Sequence, residues 1–351
     1  MRFADIHGQD AAVQALRSSL HRESGTVGLA HAYLFAGPKS VGKTSTALAF
    51  AAALNCEDPG PDGDSCGNCL SCIRIEAGTD LDVRVICPEK NQTLIKQTGD
   101  MVANLVYAPV NGKRRVYIIE QADTLNTHAE NSILKALEEP PDYAIIILLS
   151  RNPSSLLQTI RSRCRLVRFH TTSASEIEAV LRLRCDLPDE QIRIIAASAE
   201  GAVGRAIGMA EDPRTMEDRR AALEAVRWWA ESPPIATLRA AEMLRKIAEP
   251  SKSEKEEGLT SARRLQVLLD HVQSWYADML SIAVRGDSAV LCNVDFADAL
   301  ADHAAMYSRK RISSGIEGIM RTRRYLEGNI TAQLALENML FGLRPDQRSR
   351  A

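Results

Sequence analysis

The stretch Ala32-Tyr33-Leu34-Phe35-Ala36-Gly37-Pro38-Lys39-Ser40-Val41-Gly42-Lys43-Thr44-Ser45 decides how the rest of the chain is read. An apolar run ends at Gly37, and the pattern G-x-x-x-x-G-K-[ST] is filled at every fixed position from Gly37 to Thr44. An Ala- and Leu-rich segment, Thr44 to Leu54, follows as a strong helix former. The glycines let backbone N–H groups converge on phosphate oxygens with no Cβ in the way. Lys43 is placed to reach the β- and γ-phosphates, and Thr44 to offer its hydroxyl to Mg2+. The helix behind them aims the positive end of its dipole at the anion. A strand before the loop and a helix after it are what this chemistry requires. Gly37 to Ser45 is therefore read as a nucleotide-binding cradle rather than a tight turn.

Outward from the cradle, the first half alternates strand and helix. Val116-Tyr117-Ile118-Ile119 and Ala144 to Leu149 are apolar throughout, as suits strands of a parallel sheet buried on both faces. Asn126 to Glu139 reads as a helix that stops at Pro140-Pro141. These runs predict an α/β layered domain over residues 1–169. Beyond Arg168 no long β-branched run remains. Ser175 to Leu183 and Glu190 to Ala199 read as two helices closed by Glu200-Gly201, a small helical unit over 170–212. An all-helical region covers 213–351, with Glu249 to Gly258 as a charged loop bracketed by Pro250 and Gly258.

Composition narrows the function. The 351 residues are 45% hydrophobic and 25% charged, which excludes a disordered or collagen-like chain. Lys plus Arg number 43 against 45 Asp plus Glu, a net charge of −2, so nucleic acid is not coated by bulk charge. No apolar run reaches the roughly 20 residues of a membrane span. Met1-Arg2-Phe3-Ala4-Asp5 has no signal-peptide h-region, so the cytoplasm is the expected compartment.

Half of the 8 cysteines fall in one stretch: Cys56, Cys66, Cys69 and Cys72, spaced C-x9-C-x2-C-x2-C. In a reducing compartment this points to a metal before disulfides. The spacing favours a structural zinc module over 56–72, with Gly67 permitting the tight turn. An iron–sulfur cluster and free thiols are the rival readings. Four thiolates would close the coordination sphere, which argues against a catalytic zinc. Cys164, Cys185 and Cys292 are isolated and expected as buried thiols.

The strand Val116–Ile119 runs into Glu120-Gln121-Ala122-Asp123. A hydrolytic site of this type needs one carboxylate for the Mg2+ shell and a second to orient the attacking water. Glu120 fits the first role, but Gln121 is neutral and cannot act as a base. Asp123 can substitute only if the strand ends irregularly. The expectation is nucleotide binding with weak or absent hydrolysis. Lys113-Arg114-Arg115, after the turn Asn111-Gly112, is expected to solvate a strand entrance. Trp228-Trp229 and Trp275-Tyr276 are expected in the core or at an interface.

The cradle, the cysteine insertion, Leu134-Lys135-Ala136-Leu137-Glu138-Glu139-Pro140-Pro141 and Ser162-Arg163-Cys164, in this order, resemble the bacterial clamp-loader subunits of the AAA+ superfamily. These are the γ/τ and δ′ subunits of DNA polymerase III. Phe3 to Gln9 resembles the family segment near the adenine, and Asn329 to Glu337 its last collar helix. The resemblance implies an α/β AAA+ domain with a zinc-binding insertion, a helical lid and an all-α collar that joins subunits. It implies ATP or ADP with Mg2+, and Zn2+, as cofactors. It implies γ/τ and δ subunits, the β sliding clamp and, through the assembly, primer-template DNA as partners. Arg163 takes the place of an arginine finger that enters a neighbour's ATP site. Arg205, in Glu200-Gly201-Ala202-Val203-Gly204-Arg205, matches sensor 2, a contact to nucleotide on the same chain. Glu120-Gln121 stands as a degenerate Walker B pair, Leu149-Ser150-Arg151-Asn152-Pro153 departs from the γ/τ sensor stretch, and the chain ends soon after the collar-like helix. These features favour δ′, which helps load the clamp onto primed DNA, over a short γ-type ATPase.

Overall fold

Five strands form one sheet in which every neighbouring pair is parallel, because each apolar run must be covered by helices on both faces. They are β1 (Ala32–Ala36), β2 (Val83–Ile86), β3 (Arg115–Ile119), β4 (Ala144–Ser150) and β5 (Arg165–Arg168), in the order β2-β3-β4-β1-β5. The computed structural model describes residues 1–20, 28–88, 95–250, 260–327 and 330–345. Every residue of β1, β3 and β4 is buried, and one face packs on the helix Lys43–Asn55 through Phe50 and its alanines. The other face packs on the helices Ile95–Leu105 and Thr127–Glu138 through Met101, Ile133 and Leu137. Because β1 lies between β4 and β5, Ala36 registers with Ser150 and with Arg168. The loops after β1, β3 and β4 therefore share one edge of the sheet, where ligands of such folds collect.

Strands β2 and β5 were not anticipated. Arg84, Arg165 and Arg168 interrupt their apolar runs, as suits strands at the two edges of the sheet. Asn126 caps the helix Thr127–Glu138 by accepting the Ala129 N–H at 2.8 Å, and the helix stops before Pro140-Pro141.

One expectation fails at Arg115. It does not solvate a strand entrance but lies buried, with its guanidinium 3.2 Å from the fully buried Asp82 carboxylate. The same carboxylate accepts the N–H groups of Val110, Asn111 and Gly112. Burial pushes Asp82 up, but these donors and Arg115 outweigh it and hold it below the usual carboxylate range. Lys113 is also engaged: its amine donates to the Cys56 carbonyl at 2.7 Å, and its N–H to Asn55 Oδ1 at 2.9 Å. Cys164, Cys185 and Cys292 are half-buried rather than buried. Burial still pushes the Cys164 thiol up to about 12.

The described residues divide into two compact units, Met1–Val180 with Gly201–Arg205, and Leu181–Glu200 with Ala206–Ala351. Within the second unit the elements are helical, the longest being Ser261–Arg285. Trp229, Trp275 and Tyr276 lie in its core, with the Trp275 ring edge-on to Phe296 at 5.6 Å and to His303 at 5.3 Å. Trp228 faces outward beneath the Arg239 guanidinium, 5.5 Å from its ring centroid. Buried Arg219 makes a bidentate pair with Asp295, both bonds 2.8 Å. Most of the loop expected after Pro250, and Asn329, lie outside the described residues; the last helix is Ala332–Leu343. Among the described residues no helix is long and apolar enough to cross a membrane.

Candidate functional site

The loop from Gly37 to Gly42 bends through left-handed backbone at Ser40 (φ 59°) and Gly42 (φ 96°). Gly42 is the N-cap of the helix Lys43–Asn55, where only glycine adopts such a φ without strain. Gly37 donates its N–H to the Ser150 carbonyl at 3.1 Å, and a Cβ there would come within 2.5 Å of the Phe169 carbonyl oxygen. The cradle is thus fixed on both sides by the ends of β4 and β5. Lys43 is buried, and its amine donates to the carbonyls of Gly37, at 2.7 Å, and Pro38. Burial, reinforced by the Arg151 guanidinium, pulls Lys43 down to about 8, against the opposing pull of Asp123 and Glu120. A buried amine inside left-handed, glycine-bearing backbone fits a nucleotide phosphate.

Glu120 reaches the cradle across 76 residues of sequence: its Oε1 accepts the Thr44 hydroxyl at 2.8 Å. That pair brings together the two oxygens expected around Mg2+. The Cys87 thiol, at the end of β2, lies 3.5 Å from the other Glu120 oxygen and donates to it. Strand β3 does end irregularly. Gln121 is exposed in left-handed backbone (φ 47°), and a 3-10 turn, Ala122–Thr124, follows. The turn carries Asp123 toward Lys43, but Asp123 is occupied by Arg151, accepting its N–H at 3.0 Å and pairing with its guanidinium at 3.9 Å. Gly204 donates its N–H to the Ser40 carbonyl at 3.1 Å, which sets the start of the helix Val203–Glu211, and with it Arg205, beside the cradle. Arg163 closes the helix Gln158–Arg163 about one third exposed. Its guanidinium pairs with Glu138 at 2.7 Å and donates to the Thr159 carbonyl at 3.0 Å.

The ligand sulfurs of Cys56, Cys66, Cys69 and Cys72 all lie within 4.8 Å of one another. The Cys56 and Cys72 sulfurs are 3.8 Å apart, the edge of about 3.8 Å that a tetrahedron with Zn–S of about 2.3 Å demands. Backbone N–H groups already point at the sulfurs: Cys66 N at Cys56 (3.2 Å), Asn68 N and Cys69 N at Cys66 (3.4 and 3.3 Å), and Cys72 N at Cys69 (3.5 Å). Gly67 turns the loop at φ 76°. The Asn68 and Cys69 N–H groups lower the Cys66 thiol to about 7, whereas burial raises Cys56 and pushes Cys72 up to about 12. Such a set of donors can hold zinc as four thiolates, with the N–H groups as outer-shell support.

Sequence reasoning missed Asp82, Asp64 and Cys87, and read Arg151 only as a departure from a pattern. No local spacing ties any of them to its partner. The only available signal for the two aspartates was an acidic residue flanked by glycine or apolar residues, which is far too common to use.

The family described as "DNA polymerase III, delta subunit" matches residues 8–173, and its "C terminal" counterpart matches 257–344. The Haemophilus influenzae DNA polymerase III subunit tau/gamma is 35% identical over 225 residues, 62% of this chain and 32% of that protein. The Pseudomonas aeruginosa subunit delta' is 37% identical over 192 residues, 54% of this chain and 57% of that one. The chain thus spans about a third to just over half the length of these relatives. A DNA polymerase III gamma subunit-related protein from Thermotoga maritima aligns over 95% of this chain and 97% of its own at 15% identity and a TM-score of 0.45. With the two family models matching in order along the sequence, over 8–173 and 257–344, the chain belongs to the DNA polymerase III subunits that they describe.

Proposed function

We propose that the chain is a δ′ subunit of the bacterial clamp loader. In this reading it binds ATP or ADP with Mg2+ in the cradle Gly37–Ser45, hydrolyses it weakly or not at all, and carries a structural zinc on its four clustered cysteines. Residues 1–169 form the nucleotide domain, 170–212 the lid with Arg205 toward the nucleotide, and 213–351 the collar that joins γ/τ and δ subunits. The assembly acts on the β sliding clamp and primed DNA in the cytoplasm. The observation that carries the reading is the exposed, neutral Gln121 beside an otherwise furnished metal position, Thr44 with Glu120. Holding a nucleotide needs the second pair; activating water needs a base that Gln121 cannot be.

Arg163 supplies the chain's own chemistry in this scheme. Its guanidinium stands at a helix end, partly exposed, held by the exposed Glu138 carboxylate and the Thr159 carbonyl. A surface pair of this kind is worth about 1 kcal/mol or less, so a neighbour's γ-phosphate outcompetes it. Reconstitution with γ/τ and δ subunits tests the assignment. Arg163→Ala should leave the assembly intact and lower turnover at the completed site by roughly a thousandfold. An unchanged rate would refute the finger.

A short γ-type ATPase is the second reading, favoured by Asp123, which the irregular end of β3 carries toward Lys43. Turnover by the purified chain, lost in both Lys43→Ala and Asp123→Asn, would establish that reading and displace δ′.

A further inference from the structure

The helix Lys43–Asn55 joins the two sites, with the cradle at its N-terminus and Cys56 as its C-cap. A second connection runs beside it through Asp64, two residues before the ligand candidate Cys66. Asp64 is buried, and its carboxylate accepts four donors. These are the N–H groups of Phe3 (2.9 Å), Ala4 (3.0 Å) and Ser65 (2.8 Å) and the Arg17 guanidinium (3.1 Å). Further bonds fasten the same N-terminal segment here: the Arg17 guanidinium pairs with Asp62 at 3.1 Å, the Ser65 hydroxyl donates to the Met1 carbonyl at 3.2 Å, and the Met1 ammonium meets Glu76, just past the insertion, at 2.7 Å. Three of the four donors to Asp64 thus come from residues 1–17, far away in sequence.

That segment in turn packs on the elements that build the cradle. Phe3 is buried with its ring 6.4 Å from Phe50, on the helix Lys43–Asn55, and Arg17 lies over the Phe3 ring at 5.6 Å. Gln9 exchanges two hydrogen bonds with the His170 backbone, at 2.7 and 3.1 Å, and the adjoining Phe169 carbonyl is the wall against Gly37. The stretch that carries Asp64 is held by few bonds of its own, the Gly60 N–H on the Asp64 carbonyl and the Gly63 N–H on the Gly60 carbonyl, both 2.9 Å. Glu57 to Gly63 contains only Glu, Asp, Pro and Gly, none of it buried, and forms no helix or strand. Its order depends on joining Cys56 to Cys66, Cys69 and Cys72.

We propose that metal bound by the four cysteines acts on the nucleotide site. Asp64 is the positioning residue: it fixes residues 1–17 against the helix and strand ends that form the cradle, so metal binding and nucleotide binding strengthen each other. The coupling rests on the reading of Gly37–Ser45 as a nucleotide site, and linkage makes it reciprocal. Without metal, the cost of ordering the insertion and the N-terminal segment falls on the nucleotide.

Three forms of the full chain test this: zinc-loaded, chelator-stripped, and Asp64→Asn carrying Co2+ at the cysteines. Asn is isosteric but lacks the charge for Arg17 and one acceptor for the N–H groups, and the cobalt–thiolate absorption reports whether the four-cysteine site is intact. Two quantities are read, amide exchange in residues 3–17 and affinity for a fluorescent ATP analogue with Mg2+. Stripping and Asp64→Asn should each speed exchange by roughly tenfold or more, as expected for losing bonds to a buried charge. Both should weaken the analogue several-fold, with the cobalt spectrum of Asp64→Asn retained. Unchanged exchange in Asp64→Asn with an intact spectrum overturns the tether. Equal analogue affinity in the stripped and loaded chains overturns the coupling. Absence of analogue binding in every form overturns the nucleotide reading and the coupling with it, while exchange in residues 3–17 still decides the tether.

Discussion

The cradle and the cysteine cluster stand at opposite ends of one 13-residue helix, about 20 Å long. At the cluster backbone N–H groups point at the sulfurs, and at the cradle the glycine loop and the helix N-terminus offer theirs to a phosphate. At the cradle the fold alone holds the geometry, through the Ser150 carbonyl on Gly37, the Phe169 carbonyl behind it and the Lys43 amine on the loop carbonyls. At the cluster the sulfurs sit in a loop tied to the rest of the fold chiefly through Asp64 and Ser65, and burial raises two of the four thiols, Cys56 and Cys72. The sheet sets most of the cradle's geometry, whereas the insertion relies on its bonds to the N-terminal segment and on a ligand shared by its sulfurs.

Removing the metal should produce the largest effect. Chelation, or Cys72→Ser, should cost on the order of several kcal/mol and disorder the insertion, as read by thermal unfolding with metal analysis. A chain that keeps its melting temperature when stripped would erase the contrast.

Next is Lys43→Ala, which should lower nucleotide affinity by about a hundredfold, since charge-assisted bonds to phosphate are lost, while stability changes by less than about 1 kcal/mol. Titration calorimetry beside thermal unfolding checks both halves. A large loss of stability would mean that the cradle is not self-supporting.

Glu120→Gln keeps an acceptor for the Thr44 hydroxyl but removes the charge. It should weaken Mg2+-dependent nucleotide binding roughly tenfold and leave metal-free binding nearly unchanged, measured with and without EDTA.

The smallest effect is that of pH. Lys43 titrates at about 8 in the folded chain against an ordinary value of 10.5. Phosphate binds the ammonium form, so affinity is full below pH 8 and falls, by at most about tenfold per unit, as pH rises through it. The stability of the nucleotide-free chain moves the other way. Between pH 8 and 10.5 the unfolded chain holds more protons at this site, so the folded form gains stability as pH rises. An affinity that stays flat to pH 9.5 would show that Lys43 is not lowered.

The legible part of the sequence was its contiguous chemistry. Gly37 to Ser45 and the four cysteines declare themselves because their spacing is their mechanism. Asn126 with Pro140-Pro141 bounded a helix from local rules. The edge strands β2 and β5 were hidden by Arg84, Arg165 and Arg168, since a strand at a sheet edge can carry charge without losing its place. Arg115 was misread for a related reason: a basic triplet next to a turn looks solvated until a buried carboxylate 33 residues earlier in sequence is found opposite it.

The chain's residue order alone determined the glycine-bearing loop ahead of its helix and the four-thiol cluster, because neighbours in sequence supply each. Tertiary structure decided which distant groups complete them. Glu120 meets Thr44, Asp123 is taken by Arg151 and Asp64 gathers the N-terminus only after β1 is placed between β4 and β5 and the insertion is folded against the first residues. Contacts across 28 to 76 residues depend on strand order and burial, which no local pattern encodes.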